Sequence, residues 1–331
     1  MEEHILNFEK PLFELRKKIE ELKKFAKEKN MNVMDEIKIL EQKAEKMKDE
    51  IYSNLTPYQI FQIMRHPKRP RTLDYVNYIF TDFLEIHGDR SFADDKALIG
   101  GMAKFAEKPV MIVGLQKGKD TKENLYRNFG MAQPEGYRKA LRLMKLAEKF
   151  KLPVISFIDT MGAFPGVEGE ERGVAEAIAR NLFEMSKLKT PIIIIVIGEG
   201  GSGGALGIGV GDRILMLKYA TYSVISFEGC AAIIWKDSSK APDAAKALKP
   251  TAKDLLEFGV IDEIIEEPIE GAHTDFEFTA KNLKASIEKN LNELVNIDIN
   301  KLLKQRYEKF SKLGIVTIQE SGEVDEKGTE Q

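Results

Sequence analysis

Six β-branched residues, Ile192-Ile193-Ile194-Ile195-Val196-Ile197, run directly into Gly198-Glu199-Gly200-Gly201-Ser202-Gly203-Gly204. A chain that turns without side chains and then enters a helix leaves main-chain N–H groups aimed at open space, and such groups receive anions. Three chemistries use a receptor of that kind. Phosphate binding in a P-loop needs Lys-Ser/Thr after the glycines, and none follows. A dinucleotide fingerprint matches Gly198-x-Gly200-x-x-Gly203. The residues about 20 positions on, Lys218-Tyr219-Ala220-Thr221, however, lack the acid that would bind a ribose. A nucleophile elbow matches Gly200-x-Ser202-x-Gly204, and a hydrolase would then recruit His273 as base and Asp262 to orient it. The third use holds an oxyanion, such as a thioester enolate, on amides alone. Motif matches are cheap in glycine-rich sequence, and spacing leaves the choice open.

A second turn of the same kind, Asp159-Thr160-Met161-Gly162-Ala163-Phe164-Pro165-Gly166, follows the apolar run Pro153 to Ile158. Continuous apolar runs suit strands buried on both faces of a parallel sheet. Both turns should then lie at one end of that sheet and face one substrate channel.

The elements that position them read as follows. Leu12, Leu15, Ile19, Leu22 and Ala26, then Val33, Ile37, Leu40, Ala44, Met47 and Ile51, repeat at helical spacing on either side of a break at Asn30-Met31-Asn32. They predict a helical hairpin with a charged outer face. Arg65-His66-Pro67-Lys68-Arg69-Pro70-Arg71 is a basic cluster, read as a solvated linker or as a grip on an anionic ligand. Asp74 to Ile86 reads as an amphipathic helix. Ala97–Phe105 and Val110–Gln116 read as strands, Lys117–Gly130 as a basic loop, Glu135–Lys149 and Gly169–Lys187 as helices. Two short strands, a small-residue helix ending at Trp235, two further helices, a strand ending at Ile265 and two closing helices complete the core. Trp235 reads as a core or interface anchor. Expected domains are a hairpin arm over 1–55, a helical connector with the basic cluster over 56–96, the catalytic core over 97–317, and a disordered acidic tail over 318–331.

With 331 residues and a net charge of −3, the chain can bury a large core and has no global attraction for nucleic acid or anionic lipid. The single cysteine, Cys230, excludes an intrachain disulfide and an all-cysteine zinc site, and reads as a small buried residue. The opening Met-Glu-Glu-His-Ile-Leu-Asn has neither the basic nor the apolar region of a signal peptide, and no apolar run is long enough to span a bilayer. A cytoplasmic location is expected.

Several longer stretches then carry a family resemblance. They are Leu73-Asp74-Tyr75, Gly88-Asp89-Arg90 with Ala93-Asp94-Asp95-Lys96-Ala97, and Asn128-Phe129-Gly130-Met131. Pro134-Glu135-Gly136-Tyr137-Arg138-Lys139-Ala140, Glu170-Glu171-Arg172-Gly173, Gly198 to Leu206, and Tyr222-Ser223-Val224-Ile225-Ser226 complete the set. Over residues 5 to 312 the chain resembles the α-subunit family of bacterial acetyl-coenzyme A carboxylase carboxyltransferases. The resemblance implies an α/β crotonase-type fold of repeated ββα turns with an N-terminal helical arm wrapping a partner β subunit in an α2β2 assembly. It implies transfer of the carboxyl group of N1-carboxybiotin, carried on biotin carboxyl carrier protein, to acetyl-CoA, giving malonyl-CoA, with biotin carboxylase in the full complex and no metal in this chain. Carboxybiotin would lose CO2, and the biotin ureido anion would take a proton from the acetyl methyl group before the enolate captures the CO2.

By the same resemblance Gly203 and Gly204 supply the amides for the ureido oxygen, and the β subunit's glycines hold the enolate. Gly162, Ala163 and Gly166 read either as the opposite wall of the channel or as a tight turn serving helix packing alone, with Gly201 and Ser202 also in the substrate-binding set. Two positions depart from the family pattern: Met161 and Phe227 stand where prolines are usual. Against this stand the Ser202 hydrolase, a hydratase or isomerase using Glu199 or Glu228, which read better as caps or braces of their turns, and a non-enzymatic scaffold. The last conflicts with a glycine turn that gives up backbone entropy at the centre of the fold.

Overall fold

The computed structural model describes residues 4–29 and 33–314. The break at Asn30-Met31-Asn32 and the tail from Gln319 lie outside the described residues. In chain order the helices α1 (Lys10–Lys29), α2 (Met34–Ser53), α3 (Pro57–Met64) and α4 (Thr72–Ile79) precede the strands β1 (Thr81–Glu85), β2 (Leu98–Phe105) and β3 (Lys108–Leu115). Next come α5 (Thr121–Tyr126), α6 (Pro134–Phe150), β4 (Val154–Thr160), α7 (Val167–Glu171), α8 (Val174–Ser186), β5 (Ile192–Gly201) and α9 (Ser202–Leu206). Finally β6 (Arg213–Leu217), β7 (Thr221–Ser223), α10 (Phe227–Trp235), α11 (Ala241–Leu248), α12 (Ala252–Glu257), β8 (Glu263–Ile265), α13 (Phe276–Leu294) and α14 (Ile299–Ser311) complete the chain.

One mixed sheet runs β1-β2-β3-β4-β5-β6-β8, antiparallel from β1 to β3 and parallel from β3 onward, and β7 pairs with the far end of β5. β4 and β5 are its centre, and every residue from Val154 to Thr160 and from Ile192 to Gly200 is buried. Successive strand residues face opposite sides. A Cβ on Gly100, the register partner of Val113, would meet Leu143 of α6, and one on Gly114 would meet Thr72 of α4. Helices therefore cover both faces, as a sheet of continuous apolar strands requires.

The arm is an antiparallel hairpin. Tyr52 Oη donates to Glu9 at 2.7 Å near its base, and Lys23 pairs with Glu41 at 2.9 Å farther out. Its apolar stripe, Leu12, Ile19, Ile37 and Ala44, closes on Ile63 and Tyr219 of the core, and Arg16 pairs with Glu270.

The sequence expectations need four corrections. The amphipathic stretch from Asp74 leaves the helix at Phe80, and Thr81–Glu85 joins the sheet as its edge strand, with Asp82 at φ 52°. The expected helix Gly169–Lys187 is two helices hinged at Gly173, φ 78°. The Lys117–Gly130 loop contains α5. Trp235 is 43% exposed, so it is no core anchor, whereas Cys230 is buried.

Candidate active site

β5 ends in the first glycine turn and feeds α9 without a capping side chain. Ser202 takes the left-handed conformation, φ 49°, where the strand becomes helix. Among the described residues no acceptor takes the amide protons of Gly203 or Gly204. β4 pairs with β5 in parallel, with Thr160 opposite Gly200, so the second turn rises beside the first. The Thr160 hydroxyl donates to the carbonyl of Gly162 at 2.7 Å and accepts from its N–H at 3.1 Å, which fixes that turn.

The glycines are required by contact. A side-chain carbon on Gly204 would overlap the Gly162 carbonyl carbon and the Ala163 nitrogen, and would stand 2.7 Å from the Gly162 Cα. One on Gly201 would collide with the Met161 carbonyl, and one on Gly200 would come within 2.7 Å of the Tyr222 ring. Gly203 is different: a side chain there would meet only Ile178 Cδ1, at 3.7 Å. The structure thus brings Gly204 against Gly162 and Ala163, and Gly201 against Met161, with Ser202 and Gly203 between them in the chain. Gly166 lies farther on, at the start of α7, under the ring of Phe164.

Beneath the two turns is a charged knot that sequence reading missed. Asp159 and Glu199 are the last charged residues of β4 and β5, and both are buried. Lys117, on the chain leaving β3, places its ammonium 3.0 Å from Asp159 Oδ1 and 3.0 Å from Glu199 Oε2. Arg71 reaches Asp159 Oδ2 at 3.3 Å, and Arg65 reaches Glu199 Oε1 at 2.7 Å and Glu228 at 3.7 Å. The Glu199 N–H donates to Asp159 Oδ1 at 3.0 Å. Burial alone would raise both carboxyls, but Lys117 with Arg71 holds Asp159, and Lys117 with Arg65 holds Glu199, below the ordinary carboxylate range. Nearby, Arg69 pairs in bidentate fashion with Glu267 and donates to the carbonyl of Ile197, both side chains fully buried.

The basic cluster is therefore no simple solvated linker, although Lys68 within it stays exposed. Its arginines are already paired, and they brace the strand ends. A trace existed in the sequence: Asp159 and Lys117 each sit at the end of an apolar run, where a strand of this kind presents its reactive end.

The rival chemistries lose their parts. His273 stacks on His66 at 3.8 Å on the arm side of the core, and Asp262 accepts from the Ile214 N–H and pairs with Lys309, so neither partner is assembled on Ser202. Glu199 and Glu228 are held by Lys117 and Arg65 as braces. Phe227 opens α10 after the Ser226 cap and packs on Phe61 at 4.6 Å, which makes it a buried anchor for that helix. Met161 is 39% exposed in the second turn, and Val167 and Leu206, which follow the two turns in the chain, are exposed as well. No group of described residues could hold a metal ion, and no described helix is long and apolar enough to cross a membrane.

The family of acetyl co-enzyme A carboxylase carboxyltransferase-like proteins matches residues 5–314. Acetyl-coenzyme A carboxylase carboxyl transferase subunit alpha of Geobacter metallireducens is 57% identical over 308 residues, 93% of this chain and 96% of that protein. Its counterpart in Bacillus cytotoxicus is 58% identical over 313 residues, 95% and 97%. Among solved structures, transcarboxylase 12S with methylmalonyl-coenzyme A and methylmalonic acid bound aligns with a TM-score of 0.56 at 19% identity, over 68% of this chain and 41% of that one. A Pseudomonas malonate decarboxylase hetero-tetramer in complex with coenzyme A aligns at 0.52 and 15% identity, over 63% and 84%. At such identities the two structures speak for the fold, a mixed α/β architecture resembling crotonase-like carboxyltransferases.

Proposed function

The chain belongs to the acetyl-coenzyme A carboxylase carboxyltransferase α subunits, and from that premise we propose that its two glycine turns form one wall of the transfer chamber. Carboxyl would pass there from carboxybiotin on biotin carboxyl carrier protein to acetyl-CoA. The observation that carries this reading is the pair of unpaired amides, Gly203 and Gly204, with Gly204 packed so closely on Gly162 and Ala163 that no side chain fits there. A cradle of that shape fits a small planar carbonyl-type oxygen and leaves its charge to be met by N–H donors. The biotin arm supplies the activated carboxyl and, after its release, the basic oxygen. This chain's part is to hold that oxygen with the Gly203 and Gly204 amides and to keep it aimed. Donors fixed in place before reaction lower the barrier without reorganisation, typically by about 3–4 kcal/mol per donor.

The enolate side belongs to a facing β subunit in an α2β2 assembly, with biotin carboxylase as the further partner in the full complex. Support comes from Met161, Val167 and Leu206, apolar residues left uncovered around the turns. Residues 1–55 serve as an interaction arm and 97–317 as the catalytic core. The test is co-expression with a β subunit, followed by biotin-dependent malonyl-CoA decarboxylation. Activity should require both chains. Turnover by this chain alone would overturn the shared chamber.

A further inference from the structure

Three neighbouring strands send one charged residue each to a single point under the glycine turns: Lys117 after β3, Asp159 from β4 and Glu199 from β5. The fit is tight. A side chain on Gly198 would meet the Asp159 carboxyl carbon at 2.7 Å, and one on Gly130 would meet Lys117 Cγ at 2.7 Å and the Asp159 carbonyl at 2.9 Å. Lys117 touches no solvent-facing carboxylate, and the described contacts of its ammonium are the two buried ones. Arg65 and Arg71 close the knot from the connector, and partly exposed Glu228 reaches only Arg65. Asp159 is separated from Gly162 by two residues and Glu199 from Gly203 by three. Any change in the distance between these carboxylates is thus passed to the two turns.

We propose that Lys117 is a positioning residue for carboxyl transfer: by bridging Asp159 and Glu199 it sets the spacing of the two glycine turns and hence the aim of the Gly203 and Gly204 amides. This rests on the amide reading above. Without the ammonium, two like charges face each other across the space it fills, and such a pair is relieved either by moving apart or by taking up a proton. Arg65 and Arg71 hold the outer oxygens and do not replace the bridge.

The experiment uses the assembled enzyme and compares wild type with Lys117→Met, Glu199→Gln, the double variant and Gly204→Ala. In Lys117→Met, kcat should fall about 100-fold at pH 8 with KM within about twofold, the pattern of an interaction made in the transition state. The loss should shrink several-fold by pH 6, as one carboxyl takes a proton, and this new inflection should vanish in Lys117→Met/Glu199→Gln. A merely structural lysine would lower the melting temperature and leave no such titration. A kcat within about threefold of wild type, or a pH-independent loss, overturns the proposal. If Lys117→Met does not assemble, Glu199→Gln decides: a tenfold lower kcat at unchanged KM supports the bridge, and wild-type kcat overturns it. Wild-type turnover in Gly204→Ala would instead show that the amide reading had failed.

Discussion

Gly204 and Gly162 come so close that a methyl group on Gly204 would stand 2.7 Å from the Gly162 Cα, well inside van der Waals contact. The two turns are one packed unit, and neither Gly203 nor Gly204 sits in the left-handed region, so contact and not conformation decides what each tolerates. Gly204→Ala should force the turns apart and cost roughly 100- to 1,000-fold in kcat, the scale of a displaced oxyanion donor. Gly203→Ala keeps its amide and finds only Ile178 Cδ1 at 3.7 Å, so it should retain activity within about threefold. Steady-state decarboxylation of malonyl-CoA by the two-subunit enzyme measures both. Equal losses at the two positions would contradict this account.

Ser202 gives the sharpest contrast between a motif and its setting. It is exposed, at φ 49°, on a strand-to-helix turn, as an elbow nucleophile would be. Its expected partners are engaged elsewhere, His273 with His66 and Asp262 with Lys309. Ser202→Ala should therefore leave kcat within about twofold, because the amides, not the hydroxyl, carry the work. A loss of 1,000-fold or more, the scale of a missing nucleophile, would restore the hydrolase.

How much of this was legible beforehand depends on sequence distance. The strand Ile192–Ile197 and its glycine turn announced themselves, since six β-branched residues leave little choice of structure. The pairing of the turns followed from parallel strands ending alike. The role of Arg65, Arg69 and Arg71 did not, because their partners lie 134, 198 and 88 positions away. A local window sees only their charge. β1 was hidden for another reason: Tyr75, Tyr78, Ile79 and Phe83 keep helical spacing across Phe80, and only tertiary pairing with β2 breaks it. The difference between Gly203 and Gly204 depends on what stands opposite, which no spacing rule records.

Arg306 anchors the other end of β5. Its guanidinium is buried, pairs with Asp212 at 2.7 and 2.8 Å, and donates to the carbonyls of Met185, Leu188 and Thr190. Asp212 also accepts from the Ile192 N–H, the first residue of the strand. Arg306→Met should destabilise by about 3–5 kcal/mol, since it strands a buried carboxylate and three carbonyls together. Thermal or urea unfolding would register this. A change under about 1 kcal/mol would mean that water reaches the site.

Acid should loosen the arm from the core. Three of the chain's four histidines meet where the hairpin joins the core: His66 stacks on His273 at 3.8 Å, with His4 edge-on at 5.3 Å. Lys68, Arg69 and the Arg16–Glu270 pair surround them, with Glu9 toward the arm. Burial, then the neighbouring His66, Arg69 and Lys68, push the His273 imidazole down to about 3, and burial also lowers His66. Both rings are thus neutral in the folded chain but take up protons near 6.5 when released. The unfolded or undocked state then binds more protons, so stability falls as pH drops below about 6.5 and continues to fall toward the folded value. Hydrogen exchange over Lys10–Ser53 should speed up several-fold between pH 7.5 and pH 5.5, after correction for intrinsic rates, ahead of exchange in β4 and β5. His273→Asn should flatten that response, because the remaining ring no longer faces a second one. An arm that exchanges equally at both pH values would show that the stacked pair does not govern docking.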